Sequence, residues 1–235
     1  MAVAAPFLVE VTGVAGSGKS TLARLLADEA EDARLAGFIQ TRDPRHIAPA
    51  LRTVPRLVPI LTRNVIAPPR LSWPDVKLLA YVTGWHRVVG REYRQGITLF
   101  DQGPLYALVR LRAQARGVMG SAAFARWWDG SLERWSRELS LVVYLDADDA
   151  VLLQRIGGRA QAHTTKGQPV DTARDFLARY RALFEEVLGR LDRPGGPEIL
   201  RLDTGASTPD RIAAELAPLL ADRRGRRAVA SEDRR

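Results

Sequence analysis

Apolar residues along this chain fall into two rhythms that alternate from one end to the other. The first is the short unbroken run: Phe7-Leu8-Val9-Glu10-Val11, Ala36-Gly37-Phe38-Ile39-Gln40-Thr41, Ile97-Thr98-Leu99-Phe100-Asp101, Leu141-Val142-Val143-Tyr144-Leu145-Asp146 and Glu198-Ile199-Leu200-Arg201-Leu202-Asp203. Runs of this length and composition predict strands buried in a parallel sheet. The second rhythm is apolar spacing of three and four. It predicts helices from Thr21 onward and over 73–94, 105–116, 121–139, 147–156, 170–190 and 209–220. Ser72 is the expected cap of the 73–94 helix, with Pro74 tolerated in its first turn. In the 121–139 helix Phe124, Trp128, Leu132, Trp135 and Leu139 share one stripe, which predicts core. Strands separated by helices predict a three-layer α/β fold: a five-stranded parallel sheet with right-handed crossovers and helices on both faces. Ligands bind such sheets beyond the carboxyl ends of the strands, where Gly13, Asp43 and Asp101 gather.

The first strand runs directly into Gly13-Val14-Ala15-Gly16-Ser17-Gly18-Lys19-Ser20-Thr21, which fits the phosphate-loop pattern of Gly, four residues, Gly-Lys-Ser. Gly13, Gly16 and Gly18 admit positive φ and leave room for backbone amides to wrap a phosphate. The helix that begins near Gly18 adds its N-terminal N–H groups and the positive end of its dipole. Lys19 is placed to reach β- and γ-phosphates, and the Ser20 hydroxyl to ligate Mg²⁺. A glycine loop alone is weak evidence. The full pattern between an apolar strand and an amphipathic helix predicts a P-loop NTPase fold that binds a nucleoside triphosphate.

Composition narrows the rest. The chain of 235 residues suits one α/β domain over 1–221, and 46% hydrophobic content is ordinary for a soluble protein. It contains no cysteine, which excludes disulfides and thiol-ligated zinc and fits a reducing compartment. The first residues lack a basic segment ahead of an apolar one, and no apolar run is long enough to span a membrane, so the expected location is the cytoplasm. The formal charge of +8 invites a nucleic-acid reading. Part of it belongs to residues 222–235, where six arginines meet three carboxylates in what reads as a disordered basic tail. Lysine occurs only at 19, 77 and 166 while arginine abounds, so the basicity carries little weight for nucleic acid. Prolines at 49, 55, 59, 68 and 69 predict that no long helix crosses residues 45–70. The arginines there form either a basic rim over an anionic substrate or a solvated face. The Thr165-Lys166-Gly167-Gln168 segment lacks the acid of a guanine-reading motif, and the three histidines are too scattered for a metal site.

In their order, these landmarks resemble the thymidylate kinase-like nucleoside and nucleotide kinases. Thr41-Arg42-Asp43-Pro44 is similar to that family's Thr-Arg-Glu-Pro, and Asp101-Gln102 stands where it has Asp-Arg. Val143-Tyr144-Leu145-Asp146 followed by Arg155 and Arg159 resembles the strand, helix and arginine-bearing LID, here about 155–169. Leu202-Asp203-Thr204-Gly205 with Ser207-Thr208-Pro209 resembles the last strand and the loop beside the adenine. The resemblance implies ATP and Mg²⁺ as cofactors, a small-molecule phosphate acceptor, and pairing of two copies through helices. It places Arg42, Asp43 and Gln102 at the acceptor. The sequence departs from the family at Thr12, where an acid is usual, at Gln102, where an arginine holds the acceptor's phosphate, and at Arg45-His46.

The residues themselves suggest further roles. Asp101, at the tip of a buried strand, is placed to hold Mg²⁺ through water, or else to cap the next helix. Asp43 either accepts a proton from an attacking hydroxyl or orients Arg42. The loop positions Val14, Ala15 and Ser17 carry no charge, so the cation at the transferring phosphoryl group must come from elsewhere; the resemblance implies the LID arginines, Arg155 and Arg159, which otherwise read as ordinary surface charge. Two functions stay open at this point. One is an ATP-dependent kinase acting on a nucleoside, nucleotide or other hydroxyl compound. The other is a P-loop ATPase serving as a regulatory or nucleic-acid-associated module.

Overall fold

The computed structural model describes residues 6–36, 51–66, 71–93, 95–114, 117–158 and 167–232. In chain order its elements are β1 (Phe7–Gly13), α1 (Lys19–Glu29), β2 (Ala33–Leu35), α2 (Val54–Ile66), α3 (Trp73–Glu92), β3 (Ile97–Asp101) and α4 (Pro104–Ala113). After a 3₁₀ turn at Gly117–Gly120 come α5 (Ala122–Glu138), β4 (Leu141–Asp146), α6 (Asp149–Gly158), α7 (Val170–Leu191), β5 (Glu198–Asp203) and α8 (Pro209–Glu232).

The five strands form one sheet in the order β2-β3-β1-β4-β5, and every pairing is parallel. β1 is central and buried along its whole length, Glu10 and Thr12 included, as a middle strand of a parallel sheet is. Two cores flank the sheet. On one face α1 and α8 cover Phe7, Val9, Val11, Ile97, Leu99, Leu141, Val143 and Leu145, using Leu22, Leu26, Ile212, Leu216 and Leu220. The opposite strand faces meet a larger core that includes Trp85, Phe124, Trp128, Trp135 and Phe184. The aromatic stripe of α5 is core, as its spacing predicts. The Trp128 Nε1–H donates to the Leu108 carbonyl (3.0 Å) and the Trp135 Nε1–H to the Val82 carbonyl (2.9 Å).

Local signals account for the starts of α3 and α5. Ser72 and Asp75 close a capping box on α3, with Pro74 in its first turn, and Ser121 accepts from the Phe124 N–H to cap α5. Three expectations need correction. The second strand is formed by Ala33–Leu35, with the Ala36 N–H donating to the Leu99 carbonyl (2.8 Å), so pairing starts ahead of the predicted 36–41 run, of which residues 37–41 lie outside the described residues. Prolines do not prevent a helix over 54–66. Pro55 lies in the first turn, where no N–H is needed, and at Pro59 only one further bond is lost while Leu57 and Ile60 bury against the core. The last helix does not stop at Leu220, and residues 222–232 are not disordered. Alanine and arginine are strong helix formers, and Arg223 pairs with Glu198 (2.5 Å), Arg224 with Asp32 (3.1 Å) and Arg226 with Asp222 (2.5 Å). No helix among the described residues is long and apolar enough to cross a membrane.

Candidate active site

The loop between β1 and α1 is held in shape by its glycines and by its own lysine. Gly13 has φ 143°, and a Cβ there would lie 2.0 Å from the Leu145 carbonyl oxygen on β4. Gly16, at φ 87°, has Leu152 and Ile156 of α6 so close that a Cβ would lie 2.9 Å from the Leu152 carbonyl oxygen. Any side chain at either position would push the loop off the sheet or off α6. Gly18 is the left-handed N-cap of α1 and contributes no side chain of its own to the cap. Lys19 Nζ turns back to donate to the Val14 carbonyl (2.7 Å), and the Ser17 hydroxyl donates to the same oxygen (2.9 Å). The loop thus curls over a buried ammonium at the N-terminus of a helix, which is an anion cradle. Val14, Ala15, Ser20 and Thr21 complete it, with Ser20 half-buried and Thr21 exposed on the first turn of α1.

Parallel register brings the strand-end carboxylates to the same edge. Asp101 pairs with Val11, two residues before Gly13, and its Oδ1 is buried with no hydrogen-bond partner. A buried acceptor left without a donor is costly unless a cation or ligand completes it. This oxygen and the Ser20 hydroxyl are hard oxygen donors of the type Mg²⁺ takes. Gln102 follows in the left-handed region at φ 55°, a conformation uncommon for a side-chain-bearing residue. Asp146 and Asp203 pair with each other at the ends of β4 and β5.

Four residues that the sequence reading does not single out are gathered here as well. Glu10 is fully buried in the middle of β1, and its carboxylate accepts the Leu105 N–H (2.9 Å) and the Tyr106 N–H (2.8 Å). It therefore supplies from the sheet the cap that Gly103, the residue preceding α4, cannot. Burial pushes its pKa up to about 8 from an ordinary 4.5, against the lowering by the two N–H donors. By fixing the first turn of α4, Glu10 places Tyr106, whose ring lies 5.7 Å from Lys19 Nζ. Burial raises the Tyr106 pKa, with Arg110 lowering it and Asp101 raising it. Tyr180 of α7 stacks on Phe176 at 4.5 Å, and its pKa is pushed up to about 12 by burial, then by Tyr106, with Arg110 opposing. The only sequence signal for any of these is a charged residue inside an otherwise apolar strand run, which marks Glu10. Tyr106, Arg110 and Tyr180 look like ordinary helix positions until the fold assembles them.

On the β4–β5 side, α6 continues through Gly157 and Gly158. Arg155 donates to the Thr204 hydroxyl (2.9 Å) and to its carbonyl (2.8 Å), while the Thr204 N–H donates to the Asp146 carbonyl (2.8 Å). Arg155 is thus engaged with the loop after β5. Arg181 of α7 clamps Asp146 (2.7 Å) and Asp149 (2.6 Å), and these bonds raise its pKa. Arg42, Asp43 and Arg159 lie outside the described residues. No group of three or more His, Cys, Asp or Glu side chains among the described residues forms a cluster able to hold a metal ion by itself.

No protein-family model matches the chain, and no curated protein is significantly similar to it in sequence. Solved structures do share its fold. Thymidylate kinase from Candida albicans superposes with a TM-score of 0.59 at 17% identity, covering 94% of this chain and 93% of its own. Deoxyadenosine kinase from M. mycoides, solved with bound dCTP, gives 0.54 at 13% identity over 92% of this chain and 100% of its own. The same enzyme with bound dATP gives 0.55 at 12% identity, over 91% and 99%. The chain shares the three-layer, parallel-sheet fold of these P-loop kinases over nearly its whole length.

Proposed function

We propose that the chain is an ATP-dependent small-molecule kinase that transfers the γ-phosphoryl group to a nucleoside, a nucleotide or another hydroxyl compound. The observation that carries this reading is the pairing of a complete phosphate loop, curled over buried Lys19, with a strand-end carboxylate, Asp101, whose buried oxygen lacks a partner. Gly13, Val14, Ala15, Gly16, Ser17, Gly18 and Thr21 would cradle the triphosphate, and Ser20 and Asp101 would hold Mg²⁺. When bound, the cation neutralises charge on the phosphates. The chain's own part is positioning and charge complementarity, which is most of what phosphoryl transfer needs. Lys19 supplies the fixed positive charge. Asp43 acts as the base for the acceptor hydroxyl, and Arg42 and Gln102 serve to bind the acceptor. Glu10 and Tyr106 set the wall opposite Lys19, and the aromatic rings of Tyr106 and Tyr180 beside Arg110 suit an acceptor that carries a flat ring. Such kinases are the structural neighbours, a likeness that supports the reading.

The alternative of a nucleic-acid-associated ATPase relies on the basic C-terminal segment. Arg223, Arg224 and Arg226 of that segment already face carboxylates of the same chain, which weighs against it. The test is ATP consumption with Mg²⁺ in the presence of a panel of nucleosides, nucleotides, sugars and other hydroxylated metabolites, against the same assay with added DNA or RNA. Acceptor-dependent ADP release with a phosphorylated product is the expected result. ADP release that rises with nucleic acid and with no acceptor would overturn the proposal.

A further inference from the structure

Away from the nucleotide loop, α2, α3 and α5 enclose a cleft of about 330 Å³, and no residue of the P-loop or of the β3 end lines it. Its walls carry Arg56 from α2 together with Arg126 and Arg134 from α5. Positions 126, 130 and 134 follow one another at four-residue spacing, so they share one helix face. The middle position is Gly130, where an added Cβ would meet nothing within 4 Å. Two guanidinium groups therefore flank an open gap. The floor is apolar and aromatic, from Ile60, Val82 and Trp127, and the Trp127 Nε1–H is fixed by donation to the Thr83 hydroxyl (2.9 Å).

The charges around this cleft do not balance. Elsewhere on the same helix the arginine and acid side chains are matched: Glu133 takes Arg137 and Arg193, and Asp129 takes Arg190 (2.8 Å). On the cleft side, neither Arg56 nor Arg126 has a carboxylate partner among the described residues; behind it Arg87, whose charge acts on both His86 and Arg134, has a buried Nη1 with no hydrogen-bond partner. Arg134 Nη1 turns instead to His86 Nε2 (3.3 Å). Burial and the surrounding arginines keep that imidazole neutral, pushing its pKa down to about 4. The nearby carboxylate, Glu138, has its pKa raised to about 7 by burial and faces Arg134 alone of these arginines. Arginines converge on a concave, partly apolar cleft with too little negative charge to match them, and a bidentate oxyanion is the chemistry that completes such a set.

We propose that this cleft binds a phosphorylated small molecule at a site separate from the nucleotide loop. Arg126 and Arg134 grip the phosphate across Gly130, Arg56 closes over it, and the apolar body of the ligand rests against Ile60, Val82 and Trp127. A volume of about 330 Å³ suits one small organic phosphate and excludes a folded partner.

Phenyl phosphate is a suitable probe, because it joins the required oxyanion to a flat apolar body. Its binding is measured by titration calorimetry on Lys19→Ala protein, so that the nucleotide loop is weakened as a competing site. Arg56 and Arg126 are both exposed, so the Lys19→Ala protein that also carries Arg56→Ala and Arg126→Ala keeps its fold, checked by circular dichroism. The proposal expects saturable one-to-one binding to Lys19→Ala protein, at least tenfold weaker when the two arginines are removed, and no binding of phenol. Equal affinity with and without the arginines would overturn it, as would binding that disappears with Lys19→Ala alone. The kinase reading is judged by acceptor-dependent turnover, so it stands or falls independently of this titration.

Discussion

Glu10 shows how one side chain couples the sheet to the site and leaves a measurable trace. It is buried, it caps α4 through Leu105 and Tyr106, and its pKa stands at about 8 against 4.5 in an unfolded chain. Between those two values the folded protein holds a proton that the unfolded chain has released, so stability falls as pH rises through this window and levels off above about 8. The full effect is on the order of 5 kcal/mol. Glu138 adds a smaller change of the same sign and His86 one of opposite sign, so the informative quantity is the difference between proteins. Urea midpoints at pH 5 and pH 8 should drop steeply for wild type and much less for Glu10→Gln; parallel drops in both would contradict the assignment. Gly103 tests the same contact sterically. A Cβ there would sit 2.7 Å from Phe100 Cβ and 2.8 Å from Glu10 Cδ, so Gly103→Ala should lower the melting temperature by several degrees. An unchanged melting temperature would mean that the carboxylate can move aside at little cost. The phosphate loop is legible in the sequence because its chemistry is contiguous: Gly13, Gly16, Gly18, Lys19 and Ser20 act together within one turn of chain. Tyr106, Arg110 and Tyr180 are not, because their meaning depends on partners many residues away.

At the scale of elements, α6 and α8 each carry a prediction. Arg155 ties the end of α6 to the loop after β5 through Thr204, and in the described conformation this is a positioning contact. Arg155→Ala should therefore raise the KM for ATP by about tenfold while leaving single-turnover transfer at saturating ATP within about twofold. Arg159→Ala, in the LID reading, should instead reduce that transfer rate by about 10³-fold, the scale of a charge-neutralising arginine. The reverse pattern would exchange the two roles. The extension of α8 beyond Leu220 rests on exposed ion pairs, which are worth little individually. Deleting residues 225–235 should shift the melting temperature by only a few degrees, whereas Leu220→Ala, at a fully buried position, should cost about 2–5 kcal/mol. A larger loss from the deletion than from Leu220→Ala would show that the extension is part of the core. Periodicity locates these helices but misplaces their ends. It carries α8 only to the last buried leucine, because the arginine-rich turns that follow have no apolar face to betray them. It also overweights Pro59, whose single lost bond is offset by burial of Leu57 and Ile60.

For the molecule as a whole, the sheet order β2-β3-β1-β4-β5 is what turns separate motifs into a site. The central place of β1 delivers the glycine loop between the ends of β3 and β4, with Asp101 on one side and Asp146 on the other. The alternation of strand and helix makes this architecture legible in advance, since parallel strands need crossovers and crossovers of this length are helices. The measurement that bears most directly on the account is phosphoryl transfer from radiolabelled ATP to an acceptor, with wild-type and Lys19→Ala protein compared under identical Mg²⁺ and acceptor concentrations. Circular dichroism and melting temperature confirm that both are folded. Wild type should give labelled acceptor and Lys19→Ala a rate at least 10²-fold lower, because the buried ammonium curled into the loop is placed to meet the transferring phosphates. Transfer by Lys19→Ala at the wild-type rate, with ATP affinity unchanged, would contradict it.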